Sequence, residues 1–320
     1  MSGEIQERMV SNRSVPFESP ALAYAALTTA AVAWGGSIVG QKVALGSFSV
    51  VEVSVLRGLG ALLILIPLWW WQEGRQITLS RKDLVILLSL GLGVLGNHLL
   101  TLLGLRYVDA ATAGVVIGAG PVITAVLSSF LIRDVPFRTV LPGCAVSFVG
   151  VALVSGVDSS GVEGQHPWLG GALVILGLVS WALYTVGSRR IMERLSPLTI
   201  NWTTLLLSIL LQVPLLWTDN RMIADGVGAV AGSSWLALLY LIVFATALGQ
   251  QAWLYGVQGV GPSRAGVFVN LIPVSALVFA ALVLGDRIGI KQLIGMMLIL
   301  AGVWLVNRPM PARGAVRHEA

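Results

Sequence analysis

From Ala110 to Ile132 the chain runs 23 residues without a charged side chain. A helix needs about 20 mostly apolar residues to cross a bilayer. Inside lipid, only backbone that satisfies its own hydrogen bonds is tolerated. Ten stretches of this kind occur, at about 21–45, 50–71, 84–106, 110–132, 138–157, 167–189, 197–217, 233–256, 263–285 and 289–307. All 15 acidic residues fall near segment ends, in loops or in the tails. Charged residues make up 11% of the chain, against about 25% in soluble domains, too few to cover a water-facing surface. The sequence therefore predicts an all-α integral membrane protein with ten transmembrane helices.

The first apolar stretch begins as "ALAYAALTTAAVA", which has the look of a signal-peptide core. The uncharged run continues through Trp34 to Gln41, too long for such a core, and is read as the first helix. Lys and Arg then set the orientation. With both termini in the cytoplasm, 14 basic residues lie on the cytoplasmic side and 5 outside, with Arg57 set aside as intramembrane. Positive charge marks the inner side, so the net charge of +5 reads as a membrane signature and not as one for nucleic acid. The predicted location is the cell membrane, multi-pass. One cysteine, Cys144, excludes an internal disulfide and a Cys-based metal cluster.

A repeat organises the chain. At a shift of 152 residues, "AGVVIGAGPV" (113–122) meets "AGVFVNLIPV" (265–274), and from Val108 to Val154 14 of 47 positions are identical without a gap. Pro121 falls on Pro273, Asp134 on Asp286 and Gly143 on Gly295. Five helices separate the copies. An odd number makes them run oppositely through the membrane, giving two inverted five-helix repeats, an architecture of many secondary transporters. The expected divisions are a polar tail 1–19, a first repeat 20–157, an external linker 158–166, a second repeat 167–307 and a tail 308–320.

Proline in a helix interior removes a backbone bond and kinks the helix. Pro121 and Pro273, each placed mid-membrane, are therefore read as equivalent bend points, either moving hinges or static kinks. Helices 1 and 6 match more weakly at a shift of 147: Trp34 meets Trp181, Ser37 meets Tyr184 and Gln41 meets Ser188. Positions 34, 37 and 41 share one helix face, as do 181, 184 and 188. Each stripe sets an aromatic and two polar-capable side chains together, either on a cavity wall or, for the tryptophans, against lipid.

The chain resembles the drug/metabolite transporter superfamily in its EamA-type branch. The resemblance is carried by "AWGGSIVGQKVAL" (33–45), "VSVLRG" (53–58), "LLGLRYVDAATAGVVIGAGPVITAVLSSFLIRD" (102–134), "GCAVSFVGVALV" (143–154) and their counterpart at 262–306. Asp134 and Asp286 stand where that family more often has Glu. The resemblance implies secondary transport of metabolites or drugs, frequently export.

Intramembrane ionisable groups are costly and mark function by default. Arg57 can pair with a substrate carboxylate through its planar fork, or be a structural arginine held by loop carbonyls or Glu52. His98, beside Asn97, falls on Gln250 at the 152 shift. It can carry a coupling proton or be a packing histidine bonded to a neighbouring helix. No carboxylate lies mid-membrane, unlike the small multidrug exporters of the resembled superfamily. The expected substrate is thus neutral or carboxylate-bearing, amino-acid-like or amphipathic, moved by alternating access and exported. A drug or toxic-compound efflux permease is the alternative, and an intramembrane enzyme a more distant one, since neither HExxH nor an aspartate cluster is present. The candidate binding residues are Arg57, Trp34, Ser37, Gln41, Asn97, His98, Trp181, Tyr184 and Gln250. Neither cofactor nor metal nor nucleic acid is expected. The partners are a small solute, the lipid bilayer and a coupling proton, with the chain a monomer or homodimer.

Overall fold

The computed structural model describes residues 19–74, 79–104, 107, 116–155, 167–218, 221–284 and 289–307, and these contain helix and no strand. The first half comprises α1 (Pro20–Ala44), α2 (Val50–Glu73), α3 (Arg81–Gly104), α4 (Gly120–Leu131) and α5 (Phe137–Ser155). The second begins with α6 (Pro167–Ile191), α7 (Pro197–Gln212) and the short α8 (Arg221–Asp225). Next come α9 (Gly232–Tyr240), a π-helical segment (Leu241–Leu248) and α10 (Gly249–Val260), together one rod of 29 residues. The chain ends with α11 (Pro262–Gly266), a 3-10 stretch (Val267–Asn270), α12 (Leu271–Leu284) and α13 (Ile290–Asn307). Among the described residues eight helices are long and apolar enough to cross a membrane, which makes this a multi-pass membrane protein. The fourth and fifth expected spans appear as shorter apolar helices, Gly120–Leu131 and Phe137–Leu153. Asp286, the 158–166 linker and both tails beyond residues 19 and 307 lie outside the described residues.

Serine caps start the helices where the chain leaves an interface. Ser49 and Glu52 form a capping box at α2, satisfying two backbone donors that a helix start leaves open. The buried Glu52 carboxylate also accepts from the Met222 amide at 2.7 Å, tying α8 to the start of α2. Ser196 caps α7 through the Thr199 amide at 3.0 Å. Ser80 and Asp83 cap α3 reciprocally, and Asp83 also pairs with Arg194 at 3.0 Å. Asp134 accepts from the Ser263 amide at 3.0 Å. The Glu73 carboxylate takes the Ser196 and Thr199 hydroxyls. The α2–α3 and α6–α7 connections therefore meet at one end of the bundle, called here the far end. At the other, the mouth end, the α1–α2 loop meets α9 through Ser47 and Ser234 at 3.0 Å.

Glycine sets the tightest helix pair. A Cβ on Gly143 of α5 would lie 2.7 Å from the Gly302 carbonyl oxygen of α13, and one on Gly150 would lie 2.6 Å from that of Gly295. The two helices therefore run antiparallel, with backbones too close for any larger residue at these crossings. Between them the Ser147 hydroxyl donates to the Ile299 carbonyl at 3.3 Å.

The two prolines do not sit inside unbroken helices. Pro121 is at the first turn of α4, after turn residues 118 and 119. There its missing N–H would have had no partner anyway. Pro273 is the third residue of α12, just after the 3-10 stretch. The expectation of a mid-helix proline at Pro121 is thus corrected: the helix breaks before it, and the proline starts a new segment.

Candidate functional site

A cavity of about 320 Å³ lies among α1, α2, α3, α6 and α10 and reaches the α1–α2 loop through Leu45 and Val50. Eight of the nine candidate binding residues line it: Trp34, Ser37, Gln41, Arg57, Asn97, His98, Trp181 and Gln250. Ser54, Thr101 and Leu178 complete much of the wall. The remaining candidate, Tyr184, corrects the sequence reading. It is fully buried and not on the wall. Its ring packs against Trp181 at 5.2 Å, and its hydroxyl accepts from the Gln250 amide nitrogen at 3.1 Å.

The indoles of Trp34 and Trp181, equivalent in the repeat, touch each other edge to face at 5.5 Å. Trp253 packs against both, at 5.3 and 5.8 Å. Lipid contact is therefore not their role; they form an aromatic floor. On α1 the Ser37 hydroxyl donates to the Trp34 carbonyl at 2.7 Å, and Gln41 reaches Ser37 at 3.4 Å. Asn97 donates to the Gly177 carbonyl at 3.0 Å, which leaves its carbonyl oxygen as an acceptor.

The π-helical segment holds two of these side chains. A π turn bonds i to i+5 and displaces carbonyls from the α pattern. The Ala245 carbonyl accepts from the Trp34 indole at 2.9 Å. The Thr246 hydroxyl donates its one hydrogen to the Leu241 carbonyl at 2.8 Å, and its oxygen accepts from Arg57 Nε at 3.0 Å. Glu52, the sequence-level alternative partner for Arg57, is committed to the Ser49 cap and Met222. Among the described residues no carboxylate pairs with Arg57. Its two terminal nitrogens remain for a ligand, on a wall that also carries amides, hydroxyls, two indoles, the His98 imidazole and several aliphatic side chains. Among the described residues no group of three or more His, Cys, Asp or Glu is placed to hold a metal ion.

A multi-span helical protein with a solute-sized cavity of mixed polar and apolar lining between helices of both halves defines a membrane permease. The EamA-like transporter family matches residues 21–156 and 168–308, and the chain belongs to that family. It is similar to an uncharacterized transporter, YyaM, of Bacillus subtilis, with 30% identity covering 86% of this chain and 88% of that one. A probable amino-acid metabolite efflux pump of Salmonella typhimurium is 27% identical, over 86% of this chain and 91% of that one. A solved crystal structure superposes with a TM-score of 0.76 at 19% identity, covering 90% of this chain and 97% of that one, which shows the shared fold.

Proposed function

We propose that the protein is a secondary transporter that exports a small, carboxylate-bearing, amphipathic solute of amino-acid type by alternating access. Arg57 carries the reading: a guanidinium on the cavity wall, steadied at Nε by Thr246 and without a carboxylate partner among the described residues. A carboxylate there gains a charge-assisted, two-pronged contact. The indole floor accepts apolar substrate surface, and Gln41, Asn97 and Gln250 offer amides. The amino-acid metabolite pump among the relatives agrees with this substrate class. His98 is the lining side chain whose imidazole can take up and release a proton, and we assign the coupling proton to it.

The ten-crossing inverted repeat, with halves 20–157 and 167–307, draws support from helix contacts. Gly143 and Gly150 are equivalent by the 152 shift to Gly295 and Gly302, and each meets the other's equivalent. Ser147 meets its own equivalent, Ile299. Such reciprocity is what a two-fold axis between the halves requires. With both termini cytoplasmic, the mouth faces outward and the far end inward.

Counterflow in proteoliposomes tests the function. Radiolabelled amino acids and related carboxylates should exchange, and esters of the same compounds should not. Arg57→Lys should retain partial exchange, because the charge survives without the fork. Arg57→Gln should lose about 10-fold or more, as a charged hydrogen bond is worth about 1.5–3 kcal/mol. His98→Gln should keep exchange and lose pH-driven accumulation. Wild-type protein that exchanges no carboxylate, or an Arg57→Gln protein that exchanges normally, refutes the substrate assignment.

A further inference from the structure

Four polar wall residues of the cavity have equivalents in the second half at the 147 shift. Ser37, Gln41, Ser54 and Arg57 fall on Tyr184, Ser188, Asn201 and Thr204. The register is anchored twice, by Trp34 against Trp181 and by the helix caps Ser49 and Ser196. All four equivalents are completely buried, and they gather on the far side of the aromatic floor. The Tyr184 hydroxyl faces Thr204 and Ser188. Asn201 donates to the Gln251 carbonyl at 2.9 Å. Along α6, Leu178 and Trp181 line the cavity, and Thr185 and Ser188 continue the same helix face one and two turns deeper.

This cluster is polar beyond what its packing uses. The Thr185 hydroxyl and the Asn201 carbonyl oxygen are buried without a hydrogen-bond partner among the described residues. Each such group loses its hydration without a replacement bond, and native interiors hold few of them. A permanent helix interface gains nothing from such groups. A surface that is wetted in another state of the protein needs them.

We infer that Tyr184, Ser188, Asn201 and Thr204 wall a second vestibule, shut in this structure, which opens toward the α2–α3 and α6–α7 connections when the mouth closes. The inference rests on the alternating-access reading and says where the second half of the path runs. Solute enters it past Gln250, whose amide already bridges the cavity to Tyr184. The vestibule offers hydroxyls and amides and no fixed charge, since Thr204 stands at the position equivalent to Arg57. It therefore suits a solute that carries both donors and acceptors, as an amino-acid backbone does, and it holds a carboxylate less firmly than the mouth cavity.

Cysteine accessibility tests this in full-length protein carrying Cys144→Ala. Ser188→Cys and Asn201→Cys are exposed to a membrane-impermeant methanethiosulfonate in vesicles of each orientation. Ser147→Cys, equally buried but between α5 and α13, is the reference, and Ser37→Cys reports the mouth. Both vestibule cysteines should react from the far face at least roughly tenfold faster than Ser147→Cys, the ratio that an energy difference of about 1.4 kcal/mol gives. They should not react faster than that reference from the mouth face. If Asn201→Cys fails to accumulate, Thr204→Cys takes its place. Vestibule cysteines as inert as Ser147→Cys, in preparations where Ser37→Cys reacts from the mouth, overturn the inference. Labelling reads accessibility whether or not a solute is known to move, so missing counterflow strikes the transport reading and inert cysteines strike the vestibule.

Discussion

Thr246 decides where the Arg57 guanidinium stands. It has one hydroxyl hydrogen, given to the Leu241 carbonyl, so only its oxygen faces Arg57. Thr246→Val keeps the shape and removes both bonds. We expect KM to rise about 5-fold, the equivalent of one ordinary hydrogen bond at about 1 kcal/mol, with unchanged membrane abundance and with rescue by Thr246→Ser. A fall in abundance without a change in KM would give Thr246 a purely structural role. Eight wall residues were legible in the sequence because polar side chains in apolar helices stand out against their background. Thr246 did not stand out. Its hydropathy is near neutral, and its importance comes from a π register that no periodicity in the sequence announces. Tyr184 was misplaced for a related reason: its helix face is right, but it lies below the floor that Trp181 forms.

At the scale of elements, close packing and broken helices make separate demands. Gly143→Ala places a Cβ 2.7 Å from a carbonyl of the facing backbone, which cannot give way like a flexible side chain. Overpacking of this kind costs about 1–3 kcal/mol, so the melting temperature in detergent should fall measurably, and Gly302→Ala should fall with it. An unchanged melting temperature in both variants would show that α5 and α13 are free to separate. The sequence placed Gly143 on Gly295, but which glycine meets which is a tertiary matter and was not readable. The proline pair was half legible. Equivalence came from the repeat, while the break before Pro121 depends on how residues 116–119 turn, which local propensity does not fix. We retain the hinge reading in a revised form, with each proline starting a helical segment that pivots on the break before it. Pro121→Ala and Pro273→Ala should shift the two open states in opposite directions, read as spin-label distances across the mouth and the far end. Shifts in the same direction, or none in folded protein, would leave the prolines as fixed turns.

For the whole molecule, the proposed orientation, with the far end in the cytoplasm, is open to direct labelling. In a Cys144→Ala background, an impermeant thiol reagent should label Gly228→Cys in intact cells and Leu79→Cys only after permeabilisation. The reverse pattern would invert the orientation and turn the mouth inward. The helical class and the repeat were legible at this scale because a bilayer restricts which sequences fit it; the location of the polar cluster beneath the floor was not, since it depends on how α6, α7 and α10 pack together. The contact of Ser147 with its equivalent Ile299 bears on assembly. A two-fold arrangement is closed once its two members have met, and no copy of that surface is left to recruit another. In the proposed inverted repeat, the halves of this chain fill the places that two identical subunits would occupy in a dimer of half the length. On the proposed inverted repeat, a single chain is expected to hold a whole path, and self-association would be built on other surfaces.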